Sequence, residues 1–588
     1  MRIVTARRVC QVFFFLLFIW FCLAATLGDA WWQLRGWPIN WFIQLDPLVA
    51  LGTVLSAATL QKGLQWALAT VVLTIFLGRF FCGWVCPFGA LHQFMGYMAR
   101  QRTKTSARVR LNTYRPAQAV KYALLIFLLA GLIWRSGPVA IYGLQIGLLD
   151  PMVLLHRSVN LVLLPLAGTV LPGPVSAPRF YSDAALIGTV FLAALLLNLY
   201  VPRFYCRFIC PLGALLGLIG RWAPWRIHKT RDPCTDCRLC ESNCEGACEP
   251  KGKIRISECL LCMNCIGDCH DGLMAYDSGS APAGIQSAAD ISRRQVLTAF
   301  VGAAIFWPVL RLDGNAGPGW NPKRIRPPGA VSEEEFLRRC IKCGQCMRVC
   351  PTNVIHPAGL QFGMEALWTP VLMFRLGTSG CQVNCIACSH LCPTGALRPV
   401  SLAERQGTGE FESSGALKMG TAFMDRGRCL AWAMGTPCIV CQENCPVSPK
   451  AIITRERFEA VPSAGELIVA GVAGRRVPLR GAALAPGRFA GGDYFCRLEG
   501  LDPSAQQRII GNDKDSLHLS APFHSSPPPG SRLRILIRLQ QPYVMLERCI
   551  GCGICQHECP VSGKRAIRVT ADNESRQPDH LLRPNEYL

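Results

Sequence analysis

The sequence contains no C-x-x-C-H segment, which excludes covalently attached c-type haem. It also lacks the G-x-x-x-x-G-K-S/T and G-x-G-x-x-G fingerprints, so no phosphate-cradling nucleotide loop is indicated. No Ser/His/Asp arrangement suggests nucleophilic hydrolysis. Charge is scarce: 17% of residues are charged, against about 25% in an average soluble protein. With 51% apolar residues, that scarcity argues against disorder, collagen-like repetition and a purely soluble enzyme. Acidic residues are the rarer sign, 38 against 61 basic ones, for a net charge of +23. The excess does not point to nucleic acid. Many of the basic residues flank apolar runs, where they orient a chain in a membrane.

The abundant residue is cysteine, 32 in 588 residues. The length predicts roughly four domains and is too great for a small disulfide scaffold. The cysteines fall in C-x2-C-x2-C-x3-C runs, the spacing of cluster ligands.

Residues 9–27 (VCQVFFFLLFIWFCLAATL) are an uncharged apolar run preceded by Arg2, Arg7 and Arg8. The run is long enough to span a bilayer from a cytoplasmic N-terminus. No clear small-residue cleavage site follows, so a retained helix is expected rather than a signal peptide. Further spans are expected at 64–81, 118–134 and 183–201. Basic loops at 100–115 and 203–229 put both inner ends in the cytoplasm, and Trp31, Trp32, Trp37 and Trp41 mark the opposite interface.

This region repeats internally. The first copy has Leu45–Leu51 (LDPLVAL) and Arg79–Leu91 (RFFCGWVCPFGAL). The second has Leu149–Leu155 (LDPMVLL) and Arg203–Leu215 (RFYCRFICPLGAL). Repeats of this kind often place a site between their halves. Cys82, Cys86, Cys206 and Cys210 are therefore candidates for a further iron–sulfur centre, against buried unligated thiols. Asp46 and Asp150 occupy matching L-D-P positions. They are read both as helix N-caps and as candidate acceptors of quinol protons at membrane depth. His92 and His156 are weaker candidates, and Cys10, Cys22 and Cys496 have no partners in sequence.

Six motifs then predict six 4Fe–4S clusters, because structural zinc would use paired C-x2-C sets rather than triplets with a distant fourth cysteine. Two motifs lie at 230–277: Cys234, Cys237, Cys240, Cys244 and Cys259, Cys262, Cys265, Cys269. Exchange of fourth ligands joins Cys269 to the first triplet and Cys244 to the second. Glu245 and His270 stand where proline normally follows the fourth cysteine, and Cys248, followed by Glu-Pro, rivals Cys244. Four motifs lie at 330–588. They are Cys340, Cys343, Cys346, Cys350; Cys381, Cys385, Cys388, Cys392; Cys429, Cys438, Cys441, Cys445; and Cys549, Cys552, Cys555, Cys559. A nested arrangement would have the outer two exchange fourth ligands and the inner two do likewise.

The expected organisation is a membrane domain at 1–229 and a cytoplasmic two-cluster ferredoxin at 230–277. A linker with Ser292-Arg293-Arg294-Gln295 follows at 278–329, and a periplasmic four-cluster ferredoxin at 330–588 carries a β-rich insertion at 451–548. The Arg-Arg segment and its apolar continuation read as a twin-arginine export signal. Uncleaved it would be a fifth span, and cleavage after Ala316 lacks a good A-x-A pattern. The fold class is thus a membrane α-helical bundle of four spans with an internal repeat and this fifth span, plus α+β ferredoxin-like iron–sulfur domains.

On these motifs, residues 1–277 resemble the NapH family and residues 291–588 the NapG family, here fused in one chain. The resemblance implies an inner-membrane quinol dehydrogenase that draws on the quinone pool. It would pass electrons to a periplasmic cytochrome or reductase. Three alternatives stand beside it: electron supply from a cytoplasmic donor, maturation or repair of a periplasmic metal site in the manner of NosR-like or copper-reducing factors, and a scaffold with inert clusters.

Overall fold

The structure is a computed structural model that describes residues 3–25, 38–100, 104–133, 146–170, 179–231, 234–279, 284–286, 289, 291–309, 321–500 and 506–577. Trp31, Trp32, Trp37 and the Ala316 position lie outside the described residues. The chain forms two compact units, 1–378 with 384–416, and 379–383 with 417–588.

The first unit is a helical bundle with an iron–sulfur-type module at each end. The helix Ile3–Ala24 is the longest apolar one, and Pro151–Val170 is also long and apolar enough to cross a membrane. Thr105–Leu111 with Pro116–Leu132, bent by 44°, is a third candidate span if counted as one. The expected spans at 64–81 and 183–201 form the shorter apolar helices Lys62–Leu77 and Ala184–Leu199. Pro151–Val170 was not expected as a span. Its apolar stretch is 61% buried, against 28% for Ile3–Ala24, so much of its hydrophobicity serves packing inside the protein. Outward-facing Phe13, Leu16, Leu68, Val72, Val190, Leu192, Leu297 and Ile305 are exposed. That many exposed large apolar side chains call for a nonaqueous surrounding.

The helix Arg293–Val309 docks on Val120–Ile133, with Phe127 and Phe306 ring centroids 5.4 Å apart and Ala303 buried. Its start is a capping box. The Gln295 backbone N–H donates to Ser292 Oγ at 3.2 Å, and the Ser292 N–H donates to Gln295 Oε1 at 2.9 Å.

Residues 226–277 close one end of the bundle. Trp84 Nε1 donates to Leu261 O at 3.1 Å and Arg79 Nη1 to Ser257 O at 2.9 Å. Gly83 lies so close to Leu260 that an added Cβ would stand 2.1 Å from its carbonyl oxygen. The other end is closed by residues 324–378 and 384–400. Ser56 Oγ donates to Arg338 O at 2.9 Å, Tyr181 OH to Met347 O at 3.2 Å, and Arg157 lies over the Trp368 ring at 4.3 Å. The helices Lys62–Leu77 and Ala184–Leu199 each begin at the second end and finish at the first.

Both end modules use one plan: a two-stranded antiparallel sheet with two short helices that carry the third cysteine of each motif. The strands are Arg226–Lys229 with Met274–Asp277, and Ile355–Pro357 with Pro370–Leu372.

The second unit repeats this plan with Thr421–Met424 against Ile567–Thr570. Between the halves of that module lie seven strands from Ile452 to Val544. Their pairing closes on itself, because Tyr494–Leu498 pairs both with Gln507–Asn512 and with Arg532–Val544. Inward Val469, Val477, Cys496, Ile509, Leu517, Leu533 and Ile535 form an apolar core, while Arg532 and Arg534 alternate outward. Cys496 is therefore a core residue.

Candidate metal centres

Four motifs share an unusual backbone. In the run from Cys340, Lys342 has φ 63° and Gly344 φ 79°. The run from Cys549 has Gly551 at 67° and Gly553 at 73°, that from Cys259 has Leu261 at 50° and Met263 at 59°, and that from Cys234 has Asp236 at 59° and Arg238 at 58°. Left-handed residues on both sides of the second cysteine turn successive backbone N–H groups inward, a concavity suited to an anion. For Leu, Met, Lys, Asp and Arg that conformation is strained, and such strain concentrates at functional sites. The two motifs with irregular spacing lack it after the matching cysteine, where Ile386 and Ile439 both have φ −126°.

Cys234, Cys237, Cys240 and Cys269 line one cavity, and Cys445, Cys549, Cys552 and Cys555 line another. Each is a triplet plus the fourth cysteine of a neighbouring motif. Beside Cys259 stand both Cys244 and Cys248, their sulfurs 3.4 Å apart. Among the described residues no three His, Cys, Asp or Glu side chains converge on a single-ion position. A four-iron cube holds its thiolates at separate corners and does not need such convergence. The donor set, all sulfur around an inward-facing backbone, fits a 4Fe–4S cluster.

The nested exchange among the last four motifs is not what the structure shows. Cys392 lies within electrostatic reach of Cys340, Cys343 and Cys346, and Cys350 of Cys385. In the second unit Cys445 is beside Cys549, Cys552 and Cys555, and Cys559 beside Cys429 and Cys441. Apart from Cys381, consecutive motifs share one module, which closes a shorter loop than a nested exchange needs. Cys381 belongs to the second unit, where its N–H donates to Cys552 O at 2.8 Å. Cys392→Ala is therefore expected to abolish the paramagnetic signal of the centre on Cys340, Cys343 and Cys346, while Cys559→Ala leaves it intact. Electron paramagnetic resonance of the reduced variants checks this, and the reverse pattern would restore the nested exchange.

A further set of thiols lies inside the bundle. Cys82 and Cys206 are within electrostatic reach of each other and of both Cys86 and Cys210. The two repeats build this identically. A π-helical turn, Phe81–Val85 or Tyr205–Ile209, carries the first cysteine, and the second ends the turn with proline opening the next helix. Cys86 Sγ accepts from Gly89 N–H at 3.3 Å and Cys210 Sγ from Gly213 N–H at 3.1 Å. Each sulfur thus sits at the positive end of a helix.

Two fully buried arginines flank the thiols, each placed over the other copy's motif. Arg203 Nη1 donates to Cys82 O at 3.4 Å. Arg79 Nη2 would stand 2.8 Å from a Cβ added at Gly213, beside Cys210. Arg79 Nε and Nη2 make no hydrogen bond. Buried guanidinium N–H groups left beside four sulfurs fit a negatively charged cluster on those thiolates. From the sequence, Arg79 and Arg203 stood only as the first residues of the repeat segments, and Arg203 also as part of a basic loop that orients the chain, with no link to the cysteines. Their equal spacing from cysteine in both copies was the available signal.

Asp46 and Asp150 cap the helices that start at Pro47 and Pro151. Asp46 Oδ1 accepts from Leu48 N–H at 2.8 Å and Val49 N–H at 3.3 Å, and Asp150 Oδ1 from Met152 N–H at 2.9 Å and Val153 N–H at 3.1 Å. The two carboxylates also face each other, fully buried, with each Oδ2 otherwise unsatisfied. Asp150 is within electrostatic reach of Cys210 on one side and Arg157 on the other, and Arg157 reaches Cys343. Asp150 and Arg157 thus connect the four-thiol set with the first cysteine motif of the far end module by successive electrostatic contacts. His156 is a packing residue. Its Nδ1 meets Met152 O at 2.8 Å and its ring stands edge-on to Phe18 at 4.7 Å.

Two families, each described as a 4Fe-4S binding domain, match parts of this chain. One matches residues 61–106 and 184–230, the other 337–356 and 542–562. The first covers both C-x3-C-P copies. NirI of Paracoccus denitrificans is 29% identical over 245 residues, which is 39% of this chain and 32% of NirI. The ferredoxin-type protein NapG of Escherichia coli is 36% identical over 132 residues, 22% of this chain and 51% of NapG. An uncharacterised protein of Methanocaldococcus jannaschii is 30% identical over 209 residues, 35% of this chain and 75% of that protein. The chain thus spans about a third of NirI and half of NapG. No solved structure matches it.

Proposed function

Because this chain belongs to the family of iron–sulfur electron-transport proteins that includes NirI and NapG, we propose that it carries electrons from quinol through its own helical bundle to an acceptor across the membrane. The observation that carries the reading is the four-thiol set inside the bundle, with a cysteine-rich module at each end. Bound iron–sulfur clusters supply one-electron steps, which divide the two-electron oxidation of a quinol. The chain's own residues hold the ligands, bury them from water and balance their charge with Arg79 and Arg203.

The basic residues of 1–8, 100–115 and 203–229 support a cytoplasmic location for the module at 230–277. The spans at 9–27, 64–81, 118–134 and 183–201 then cross the inner membrane, with Arg293–Val309 as an uncleaved fifth. Residues 321–577 take the periplasmic side, where a cytochrome or reductase would dock. Asp46 and Asp150 would take up a proton close to the four-thiol set as it gains an electron.

Anaerobic addition of a short-chain quinol to the purified, cluster-loaded protein is expected to bleach the iron–sulfur absorbance within the mixing time of a stopped-flow instrument. Clusters that ignore quinol but accept electrons from a low-potential ferredoxin would move the donor to the cytoplasm and favour the maturation or repair role.

A further inference from the structure

Resting on the quinol reading above, we propose that the cavity around His92 is where the quinol headgroup binds, with the His92 imidazole as the acceptor of its first proton. The cavity lies at the 230–277 end of the bundle and opens to the surface. His92, Gln93, Tyr97, Arg108, Arg203 and Glu245 are among its walls.

His92 is fully buried, and neither ring nitrogen makes a hydrogen bond of good geometry. The Asn198 side chain stands beside the ring, donating to the His92 carbonyl and accepting from the Arg203 N–H, with a second amide hydrogen facing the imidazole. With one nitrogen turned to Asn198, the other is left over on the cavity wall and has hydrogen-bonding capacity to spare. It is held in place by Phe88 edge-on at 4.5 Å and by Tyr205 at 6.1 Å.

Two observations select a quinol headgroup over a lipid phosphate. Of the three arginines that line the cavity, the buried one, Arg203, is already paired with Glu245 at 2.7 Å and offers no free charge to a phosphate, which leaves Arg8 and Arg108 as the remaining cations. The exposed Tyr97 and Leu199 of the same walls give an apolar tail a path toward the lipid-facing surface. The site is also next to the redox centres. Arg203 touches the Cys82 carbonyl and is within electrostatic reach of Cys86, Cys206 and Cys262.

On oxidation the two O–H bonds of the quinol break and its two carbonyls form. Two electrons leave singly to oxidised iron–sulfur centres as acceptors. One proton goes to a His92 nitrogen and the other leaves through the cavity mouth to water.

The test uses the full-length, cluster-loaded protein in lipid vesicles and an azido-ubiquinone photolabel, with labelled peptides mapped by mass spectrometry. Label is expected within residues 87–112 and is expected to vanish in His92→Phe, which fills the ring space without nitrogens. Quinol-driven cluster reduction should fall about a hundredfold or more, the scale of a lost general base, while iron content and dithionite reduction stay at the wild-type level. His92→Gln serves if His92→Phe does not assemble.

Label confined to the segments around Asp46 or Asp150, with an undiminished rate in the variants, overturns the site but leaves quinol as donor. A retained phospholipid with no label in this cavity also overturns it. Label at 87–112 in a wild-type protein that no quinol reduces keeps the binding site and defeats the donor reading.

Discussion

Replacing Cys86 and Cys210 together by serine is expected to remove about four iron atoms per chain, one cubane's worth, and to stop quinol electrons from reaching the far-end clusters. The two residues are the buried members of the C-x3-C-P pairs, and each caps a helix through its sulfur. Serine keeps an acceptor for the Gly89 and Gly213 N–H groups, so the helix starts survive while the soft ligand is lost. Other clusters should still be reduced by dithionite, because their ligands belong to separate modules. Iron and acid-labile sulfide per chain measure the first effect. Freeze-quenched paramagnetic resonance after quinol addition measures the second. Unchanged iron would leave the four thiols as packing residues and remove the internal step from the proposed path.

The repeat made much of this centre legible. Matching L-D-P and C-x3-C-P segments predicted that four sulfurs and two carboxylates would be symmetry mates, and the structure brings each set together. The crossing of Arg79 and Arg203 onto each other's cysteines was not legible, since it depends on how the copies pack. Glu245 was visible only as a departure, a glutamate where proline was expected. Its reason is tertiary: it meets Arg203 at 2.7 Å, Arg7 at 3.5 Å and Asn264 at 3.2 Å. The left-handed Leu261 and Met263 were hidden because side chains of that type rarely adopt such backbone. Only the demand for inward N–H groups explains them. In the last four motifs, spacing proposed the ligands but not their partners, and it did not foresee that Cys381 would stand beside Cys552. Partner choice is set by which motifs share a two-stranded sheet, and those strands, three or four residues long, leave little periodic signal.

Glu258→Gln should loosen the contact between the bundle and the module at 230–277. Glu258 is buried and takes hydrogen bonds from Lys121 Nζ, from Tyr122 OH at 2.8 Å and from Gln118 Nε2 at 3.4 Å. Burial alone would raise its carboxyl pKa, but Lys121 and Arg79 more than offset that and hold it below the ordinary value. Glutamine keeps the shape and removes the charge, leaving Lys121 buried without its carboxylate. Breaking one side of such a buried pair typically costs about 3–5 kcal/mol. Hydrogen exchange of the amides of residues 254–266 reads the loss as easier local opening. The pH dependence has a definite sign. A carboxyl with a depressed folded pKa stabilises fully above its unfolded pKa, about 4.3 for glutamate, and loses that contribution as pH falls through the folded value. The gap in protection between wild type and Glu258→Gln should therefore be largest near neutrality and shrink as the pH drops below about 4. A gap that stays constant on acidification would mean that the variant acts through packing rather than charge, and no gap at all would mean that the module is held by its backbone contacts to Arg79 and Trp84.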